Sequence, residues 1–280
     1  MILIDMNQIA VANLMMNLKM NNSKTIDESM VRHMILNSIR MYRMEHHSEY
    51  GEVVLTWDSK HSWRRDYFPE YKASRRKGRE ESDLNWDDIF GTLNKIRNEI
   101  KENFPYKYLE VFGAEADDII GFLCEENRDE KIMIISGDKD FIQLQKYPNV
   151  KQWSPITKKD VNGFNPTTYL KEHILRGDTS DGVPNVLSPD NTFVDGLRQR
   201  PLSRKKIQSW LIGGGSDWND EVKRNFQRNS TLIDLSRTPE ELKNQIRLEY
   251  NNAPHGDRSK LLNYFMQNKL KELTENIGEF

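Results

Sequence analysis

The sequence contains a single cysteine, Cys124, in 280 residues, which excludes an internal disulfide. Cys124 ends the apolar run 119–124, so we interpret it as a buried side chain in a protein of a reducing compartment. No run approaches the roughly 18 consecutive apolar residues that a membrane span requires. The first residues show neither the basic segment nor the cleavage site of a secretory signal. These absences predict a soluble cytoplasmic protein without a membrane partner.

A large excess of one charge sign is also missing, because the net charge is only −2. The charges are nevertheless segregated along the chain. Eight Lys or Arg and only two acids occur in residues 60–79, and five Lys or Arg and no acid occur in residues 198–210. Basic patches that are separate from acidic groups are typical of a protein that holds a polyanion over metal ions.

Short β-branched runs alternate with stretches of helical periodicity in the first part of the chain. The predicted strands, of which the last is the weakest, are residues 2–4, 53–56, 132–135 and 108–112. The predicted helices between them are residues 26–44, 86–100 and 116–126. This alternation predicts an α/β domain over residues 1–165, with a mostly parallel central sheet flanked by helices. Beyond it, helices at 166–175 and 203–212 predict a smaller all-helical domain over residues 166–280.

Each strong strand is followed by an acidic residue. Asp5 ends the first strand, Asp58 follows the second, and Asp138 and Asp140 follow the run 132–135. Ligands of open parallel sheets bind at the carboxyl ends of the strands, so these four carboxylates are expected to converge. In an extended chain Asp138 and Asp140 project to the same side.

Two further acidic groups have helical or loop spacing. Glu115 and Asp118 are three apart at a helix start and share a face, and Asp178 and Asp181 are three apart in a loop after a helix. Crowded carboxylates repel one another unless cations neutralise them, and oxygen-only ligands favour Mg²⁺ or Mn²⁺ over Zn²⁺. The alternative for any one of these acids is a helix cap or a favourable partner of the helix dipole.

Five motifs occur in the order found in the flap endonuclease / 5′-nuclease family. They are Ile4-Asp5-Met6-Asn7-Gln8-Ile9-Ala10, Trp57-Asp58-Ser59-Lys60, Gly113-Ala114-Glu115-Ala116-Asp117-Asp118, Ser136-Gly137-Asp138-Lys139-Asp140 and Gly177-Asp178-Thr179-Ser180-Asp181. The chain resembles this family from residue 1 to about residue 185, most closely its ribonuclease H branch from T-even bacteriophages. The resemblance implies a PIN-like core, a helical arch at about residues 60–85, and a divergent helix–three-turn–helix in the helical domain.

The resemblance also implies the ligands of two Mg²⁺ ions, with Mn²⁺ as a substitute. Those of the first ion would be Asp5, Asp58, Glu115 and Asp117, with Asp118 adjacent. Those of the second would be Asp138, Asp140, Asp178 and Asp181, some through water. The helical spacing prefers Asp118 as the partner of Glu115, whereas the family pattern favours Asp117. Both remain predicted ligands, with the greater weight on Asp117.

The basic stretch resembles the family's Tyr-Lys-x-x-Arg block. Lys72 and Arg75 would grip the scissile phosphate and join Asp138 as catalytic residues, while Tyr71 would stack on a base. The remaining predicted nucleic-acid contacts are Arg64, Arg65, Arg76, Lys77, Arg79, Arg204, Lys205 and Lys206. The alternative is a solvated basic loop. The glycine pair of the family's cation-binding hairpin is missing after Asp181, which leaves that cation site in doubt.

The implied activity is structure-specific 5′→3′ exonuclease and flap endonuclease cleavage, with removal of RNA primers in DNA replication. The implied substrates are branched or flapped DNA and RNA–DNA hybrids, acted on by a monomer in the host cytoplasm if the gene is a phage gene. The polar C-terminal segment at 275–280 has two interpretations, a tail that docks a single-stranded-DNA-binding protein or a sliding clamp and a chance polar ending, and the chance ending is favoured.

Three other classes of protein share part of this pattern. A phosphatase of the haloacid dehalogenase type needs Asp-x-Asp after its first strand, but Asn7 stands at the second position. A non-catalytic DNA-structure-binding protein would not need so many acids. A small-RNA nuclease of the PIN type shares the acidic sheet but lacks the Tyr-Lys-x-x-Arg block and the acidic loop.

Overall fold

The computed structural model describes residues 1–20, 22 and 24–280. The strands are β1 Ile2–Asp5, β2 Val53–Thr56, β3 Lys107–Leu109, β4 Ile132–Ile135, β5 Val150–Ser154 and β6 Lys159–Asp160. The helices of the first part are α1 Met6–Met20, α2 Glu28–Tyr50, α3 Trp63–Tyr67, α4 Ser74–Glu80, α5 Trp86–Asn103 and α6 Ala116–Glu126. Those of the second part are α7 Pro166–Arg176, α8 Arg204–Gly213, α9 Asp220–Ile233, α10 Glu240–Asn252, α11 Leu261–Gln267 and α12 Lys271–Glu275. The predicted α/β core with a helical C-terminal part is confirmed.

The strands form one mixed sheet in the order β3-β2-β1-β4-β5-β6. The first five run parallel, and β6 pairs antiparallel with β5. Strand β1 lies in the middle, with Ile2 in register with Val53 on one side and with Met133 on the other. The chain therefore winds outward from β1 in both directions, which creates the crevice at the carboxyl edge where ligands bind in such sheets.

Alternate side chains of the central strands feed two hydrophobic cores, one on each face. Ile2 and Ile4 pack against one helical layer, formed by α1, α2, α5, α11 and α12. Leu3 packs against the other, formed by α6, α10 and the 3₁₀ segment Lys139–Lys146. Cys124 is fully buried in this second core, as predicted. Burial on both faces is the reason that the strands are almost continuously apolar.

The sequence reasoning missed β5, β6 and α1. In β5 buried and open positions alternate, and Lys151 is exposed, so no continuous apolar run marks it. Helix α1 begins at Met6, directly after the strand, and the last residue of the strand, Asp5, also caps the helix through the backbone N of Gln8. The strand predicted at 108–112 is β3 at 107–109, because pairing with β2 ends at Leu109.

The helical second part of the chain packs in two different ways. Helices α7, α8 and α9 surround two small apolar clusters, one of which also includes Phe68 and Tyr71 from the first part of the chain. Residues from 235 onward instead pack into the two cores of the sheet, with Leu242 in one and Phe265 in the other. The division at residues 165 and 166 stays a prediction. Among the described helices, none combines the length and the apolar character that crossing a membrane demands.

The C-terminal segment is not a free tail. Phe280 is fully buried and contacts Phe104 and Phe265, with ring centroids 5.8 and 5.1 Å away. Glu279 forms an ion pair with Arg40. The suggestion that residues 275–280 dock a partner protein as a polar tail is therefore wrong for this conformation.

Candidate active site

The acidic residues that follow the central strands line one cleft at the carboxyl edge of the sheet. Asp5 ends β1, Asp58 follows β2, and Asp138 follows β4, and these three strands are neighbours. The cleft has a volume of about 640 Å³. Seven of the nine carboxylates predicted as metal ligands line it, namely Asp5, Asp58, Asp117, Asp138, Asp140, Asp178 and Asp181.

Backbone and side-chain donors fix the carboxylates on β1 and β2. Asp5 accepts hydrogen bonds from the backbone N of Gln8 at 3.1 Å and from Ser136 Oγ at 3.0 Å. Asp58 Oδ1 accepts from the backbone N of Ala116 at 2.8 Å, which ties the end of β2 to the start of α6. Each carboxylate thus keeps oxygen lone pairs free for a further ligand.

Asp138 and Asp140 reach the cleft by a different route from the one predicted. The chain is not extended here, because a 3₁₀ helix begins at Lys139 and Asp138 caps it. Asp138 Oδ1 accepts a hydrogen bond from the backbone N of Asp140 at 2.9 Å. The premise of an extended chain is wrong, although both side chains line the cleft.

The acidic loop after α7 depends on a glycine. Gly177 has φ +69°, and a Cβ on it would lie 2.3 Å from the carbonyl oxygen of Val183, so any side chain would clash with the returning backbone. The turn is closed by Asp178 Oδ1, which accepts from the backbone N of Ser180 at 2.7 Å and of Asp181 at 3.1 Å. The close approach of the two backbone segments holds Asp178 and Asp181 at the cleft.

Crowding raises the pKa of several of these carboxyl groups. Burial, then the neighbouring Asp58, raises the pKa of Asp5 to about 7. Burial and the charge of Asp138 raise the pKa of Asp117 well above its usual range. Burial also raises the pKa of Asp140 to about 7, in spite of the nearby His173. An oxygen-rich pocket whose carboxylates resist ionisation fits divalent cations, which stabilise the charged form.

Glu115 differs from the cleft acids because cations surround it. Its oxygens accept from Lys72 Nζ at 2.7 Å, from Tyr71 OH at 2.7 Å and from Arg64 Nη1 at 3.3 Å. Burial opposes ionisation, but Lys72 and Arg64 outweigh it and lower the pKa of Glu115 to about 2. Glu115 therefore anchors the basic segment in this structure.

Asp118 has a structural role, which corrects the spacing argument. It is fully buried, and its carboxylate accepts from Arg64 Nη1 at 2.8 Å, from Arg64 Nη2 at 2.9 Å and from Thr238 Oγ1 at 2.7 Å. It also caps α6 through the backbone N of Glu115. Because α6 begins at residue 116, Asp117 points to the cleft and Asp118 points into the core.

Arg64, the partner of Asp118, cannot bind DNA as predicted. The side chain of Arg64 is 2% exposed, and its Nε donates to the carbonyl oxygen of Leu232 at 2.8 Å. Tyr71 is also buried, and its hydroxyl lies 2.7 Å from a carboxylate oxygen of Glu115 and 2.7 Å from one of Asp181, so its single proton is donated to one of the two. The predictions of a phosphate contact for Arg64 and of base stacking for Tyr71 are wrong in this conformation, because both side chains brace the cleft wall.

Lys72 lies between two acids at the edge of the cleft. Its Nζ lies 2.7 Å from Glu115 Oε1 and 3.5 Å from Asp181 Oδ2. Burial opposes its charge, but Asp181 and Glu115 outweigh burial and raise its pKa. Lys72 has φ +56°, an unfavourable conformation for a lysine, and its backbone N donates to the carbonyl oxygen of Asp181 at 2.7 Å. Strained backbone of this kind clusters at functional sites.

The remaining predicted nucleic-acid contacts fall into three groups. Arg75 and Arg79 line the cleft, and Arg75 Nη2 lies 2.6 Å from Asp181 Oδ1. Arg65, Arg76 and Lys77 are exposed on α3 and α4. The exposed basic residues at the start of α8, which do not line the cleft, are Arg204, Lys205 and Lys206.

Sequence reasoning missed His173. Its Nδ1 lies 3.3 Å from Asp140 Oδ1 and its Nε2 lies 3.5 Å from Asp178 Oδ2. Ligand atoms of these three residues lie within 4.8 Å of one another, close enough to share a metal ion. The available signal was a histidine in the last turn of the predicted helix immediately before the acidic loop. Asn7 and Gln8 also line the cleft.

Comparison with known proteins shows the family to which the chain belongs. Residues 1–173 match the model of the 5′-3′ exonuclease N-terminal resolvase-like domain, and residues 166–280 match that of the T4 RNase H C-terminal region. The chain belongs to the 5′-3′ exonuclease family. The family expected from the five motifs is thereby confirmed, and the activity of this 5′-nuclease is structure-specific cleavage.

Individual relatives agree with this assignment. Ribonuclease H of Enterobacteria phage T4 is 35% identical, with the match covering 99% of this chain and 95% of that protein. A 5′-3′ exonuclease of Buchnera aphidicola is 31% identical, but the match covers 48% of each chain. The structure of the bacteriophage T5 D15 flap endonuclease, a pseudo-enzyme-product complex with DNA and metal ions, superposes with a TM-score of 0.63 over 89% of this chain and 97% of that one. At 16% identity that match supports the fold alone.

Proposed function

We propose that this 5′-nuclease uses two Mg²⁺ ions, with Mn²⁺ as a substitute, to hydrolyse branched or flapped DNA and the RNA of RNA–DNA hybrids from the 5′ end. Such an enzyme would remove RNA primers and flaps in DNA replication, and would act as a monomer in the cytoplasm of the host cell. The observation that carries the proposal is the crowd of seven carboxylates at the carboxyl edge of the sheet, four of which form no ion pair with a described residue. A haloacid dehalogenase-type phosphatase lacks support, since Asn7 accepts a hydrogen bond from the backbone of Asp58 instead of supplying a second carboxylate.

The cleft residues divide between two ion positions. Asp5, Asp58 and Asp117 would hold one ion, with Glu115 becoming available if Lys72 turns toward substrate. The second ion would be held by Asp138, Asp140, Asp178 and Asp181, and His173 is close enough to join them. Asp118 is not among the proposed metal ligands, because its carboxylate forms a buried ion pair with Arg64. When bound, such ions lower the pKa of an attacking water and stabilise the leaving 3′-oxygen.

The chain's own cations bind and orient the scissile phosphate. Lys72 and Arg75 lie on the same side of the cleft, each paired with Asp181. When a phosphate enters, it can replace these carboxylates as partner, because guanidinium and ammonium groups bind phosphate strongly. Arg79 at the cleft, with Arg65, Arg76 and Lys77 outside it, supplies positive charge along the path of a single-stranded 5′ end.

The second basic surface lies at the start of α8. Ser203 caps this helix, with its side chain accepting from the backbone N of Lys206, and Arg204, Lys205 and Lys206 are exposed in its first turn. A helix start with exposed cations binds backbone phosphates through charge and amide groups. This surface would hold duplex DNA. Docking to a single-stranded-DNA-binding protein or a sliding clamp stays a prediction without a segment assigned to it.

The test is cleavage of a fluorescent 5′-flap DNA, an RNA–DNA hybrid and a small phosphate ester, each with and without Mg²⁺. We expect cleavage of the first two only, dependent on Mg²⁺. Asp138→Asn should nearly abolish cleavage without weakening DNA binding, and the matched surface variant Asp129→Asn should behave as the wild type. Wild-type cleavage by Asp138→Asn would show that the site is wrong, and turnover of the phosphate ester alone would favour a phosphatase.

A further inference from the structure

Part of the lining of the acidic cleft is apolar. Val11 on α1 and Trp86 and Phe90 on α5 line the cleft together with the carboxylates, and we call these three residues the apolar patch. Trp86 and Phe90 are four apart, so they share a face of α5, and their ring centroids lie 5.7 Å apart. Metal ions bind oxygen ligands and phosphate oxygens bind charged donors. The apolar patch therefore indicates a further chemical group in the bound molecule.

The two aromatic residues of the apolar patch differ in what the fold needs from them. Trp86 packs against the hydrophobic core beneath α1, α2 and α5. Phe90 belongs to none of the core clusters of the described residues, and it is 42% exposed. A single exposed apolar residue is common on protein surfaces, but this one lines the ligand cleft and is braced by a ring that packs on the core. Core packing thus explains Trp86 and leaves Phe90 available to a ligand.

Arg79 places a cation beside the Phe90 ring. Its Cζ lies 5.8 Å from the centre of that ring, and both side chains line the cleft. Arg75 is paired with Asp181, whereas the guanidinium of Arg79 lies against the ring. A guanidinium that turns from an aromatic ring to a backbone phosphate gains a stronger partner. It also frees a face of the ring for a base of the same strand.

The residue expected to stack on a base cannot do so in this conformation. Tyr71 is 3% exposed, and its hydroxyl is held by the carboxylates of Glu115 and Asp181. In the described part of the chain, Trp86 and Phe90 are the aromatic side chains that line the cleft. The role that Tyr71 cannot fill therefore falls to the more open of these two rings.

We propose that Phe90 stacks on a base of the single-stranded 5′ segment while Arg79 binds the backbone of the same strand. The apolar patch then holds the strand beside the carboxylates. Stacking accepts any base, because every base has a π face, and this suits an enzyme that recognises structure and not sequence. The inference rests on the proposed function for the identity of the substrate, but not on the assignment of the metal ligands.

The fluorescence of 2-aminopurine, which is quenched when this base stacks on an aromatic ring, tests the proposal. The base is placed at each of the first flap positions of a 5′-flap DNA in turn, with saturating full-length protein at low salt and in EDTA, so that metal-dependent cleavage does not interfere. We expect quenching at one position or two adjacent ones by the wild type and by Phe90→Tyr, which keeps the ring. Phe90→Leu, which stays apolar, should lose it. Phe164→Leu removes a fully exposed ring outside the cleft and should quench as the wild type does.

Cleavage kinetics with Mg²⁺ give a second measurement. Phe90→Leu should raise KM for the 5′-flap DNA about tenfold, an ordinary loss for one base–aromatic contact. Its kcat should change by less than about twofold, because a contact made equally in the ground state and the transition state affects binding alone. An abasic site at the quenched position should raise KM of the wild type similarly and add nothing in Phe90→Leu. Thermal unfolding of Phe90→Leu should match the wild type, since the ring lies outside the core clusters.

Three results would overturn the proposal. They are the absence of quenching at every flap position with saturating protein, undiminished quenching by Phe90→Leu, and additive effects of the abasic site and Phe90→Leu on KM. A different result would overturn the proposed function, namely wild-type protein that cuts no flap DNA with Mg²⁺. Because the quenching is measured without metal, the two failures are distinguishable.

Discussion

The two walls of the acidic cleft contain the same kind of residue in opposite electrostatic states. We call Asp5, Asp58, Asp117 and Asp138 the open wall, because none of the four forms an ion pair with a described residue. Asp178 and Asp181 also line the cleft, and Glu115 anchors Lys72 at its edge. We call these three residues the paired wall, because His173, Arg75 and Lys72 neutralise them. The open wall has raised pKa values, whereas the pKa of Glu115 falls to about 2.

The difference shows that acid content alone does not identify a metal ligand. The open wall has no internal compensation, so its charge needs an external cation. The paired wall is already satisfied, and it holds in place the cations that would receive the substrate phosphate. An aspartate also changes role with a single step along the helix, as Asp117 and Asp118 show.

The largest effect is expected from that adjacent pair. Asp117→Asn should slow flap cleavage about a thousandfold, since it removes an open-wall ligand, while leaving the metal-free protein at least as stable. Asp118→Asn should instead lower the free energy of unfolding by about 3 kcal/mol, because it removes the closer of the two carboxylates that neutralise the buried Arg64. Cleavage rates and urea unfolding of both variants check this. Equal destabilisation by both changes would contradict the distinction between the two residues.

The next largest effect concerns the paired wall. Lys72→Ala should slow cleavage about a hundredfold, because a positioned charge on the phosphate is lost. Arg75→Ala should cost less, since the Arg75 side chain is 45% exposed and solvent screens it. Single-turnover rates at saturating Mg²⁺ measure both. A larger loss of cleavage rate for Arg75→Ala than for Lys72→Ala would show that Arg75 is the more important phosphate contact. Arg128→Ala, which changes an arginine outside the cleft, is the control.

The open wall also predicts how stability depends on pH. An unfolded aspartate titrates near 3.8, but Asp5 in the folded protein holds its proton up to about 7. Between these values the folded state binds more protons, so the free energy of unfolding of the metal-free protein should fall as pH rises from about 4 to about 7. The loss should be on the order of 4 kcal/mol, and millimolar Mg²⁺ should restore most of it at pH 8.

Urea unfolding in EDTA across this pH range measures the effect. Asp5→Asn should make the profile less steep, because one of the groups that take up a proton in this range is gone. The matched surface change Asp129→Asn should leave it unaltered. A stability of the wild type that rises through the window would contradict the raised pKa values.

The smallest expected effect distinguishes the basic surfaces. Charge removal at Lys205 should weaken DNA binding equally for all sequences and reduce the slope of log affinity against log salt by about 1, as for one phosphate contact. Lys77→Gln should weaken binding and reduce the salt slope by a similar amount, but only for substrates with a long 5′ single strand. Fluorescence anisotropy at several salt concentrations measures both slopes, and unchanged slopes would exclude these residues from the DNA surface.

The sequence by itself determined the parallel sheet and the positions of its central strands, because short β-branched runs bounded by polar residues can be buried in few other ways. It also determined that Asp5, Asp58 and Asp138 would meet, since neighbouring parallel strands end at one edge. Those inferences need only local patterns and the geometry of a sheet.

Only the tertiary structure decided which of the other acids face the cleft. Three features depend on how α6, α7 and the basic segment pack against one another. Asp117 rather than Asp118 faces the cleft, Arg64 and Tyr71 are buried, and His173 lies beside Asp140. These contacts join residues far apart in the chain, and whether a charge is open or paired is decided by its partner in space. No local pattern records that partner.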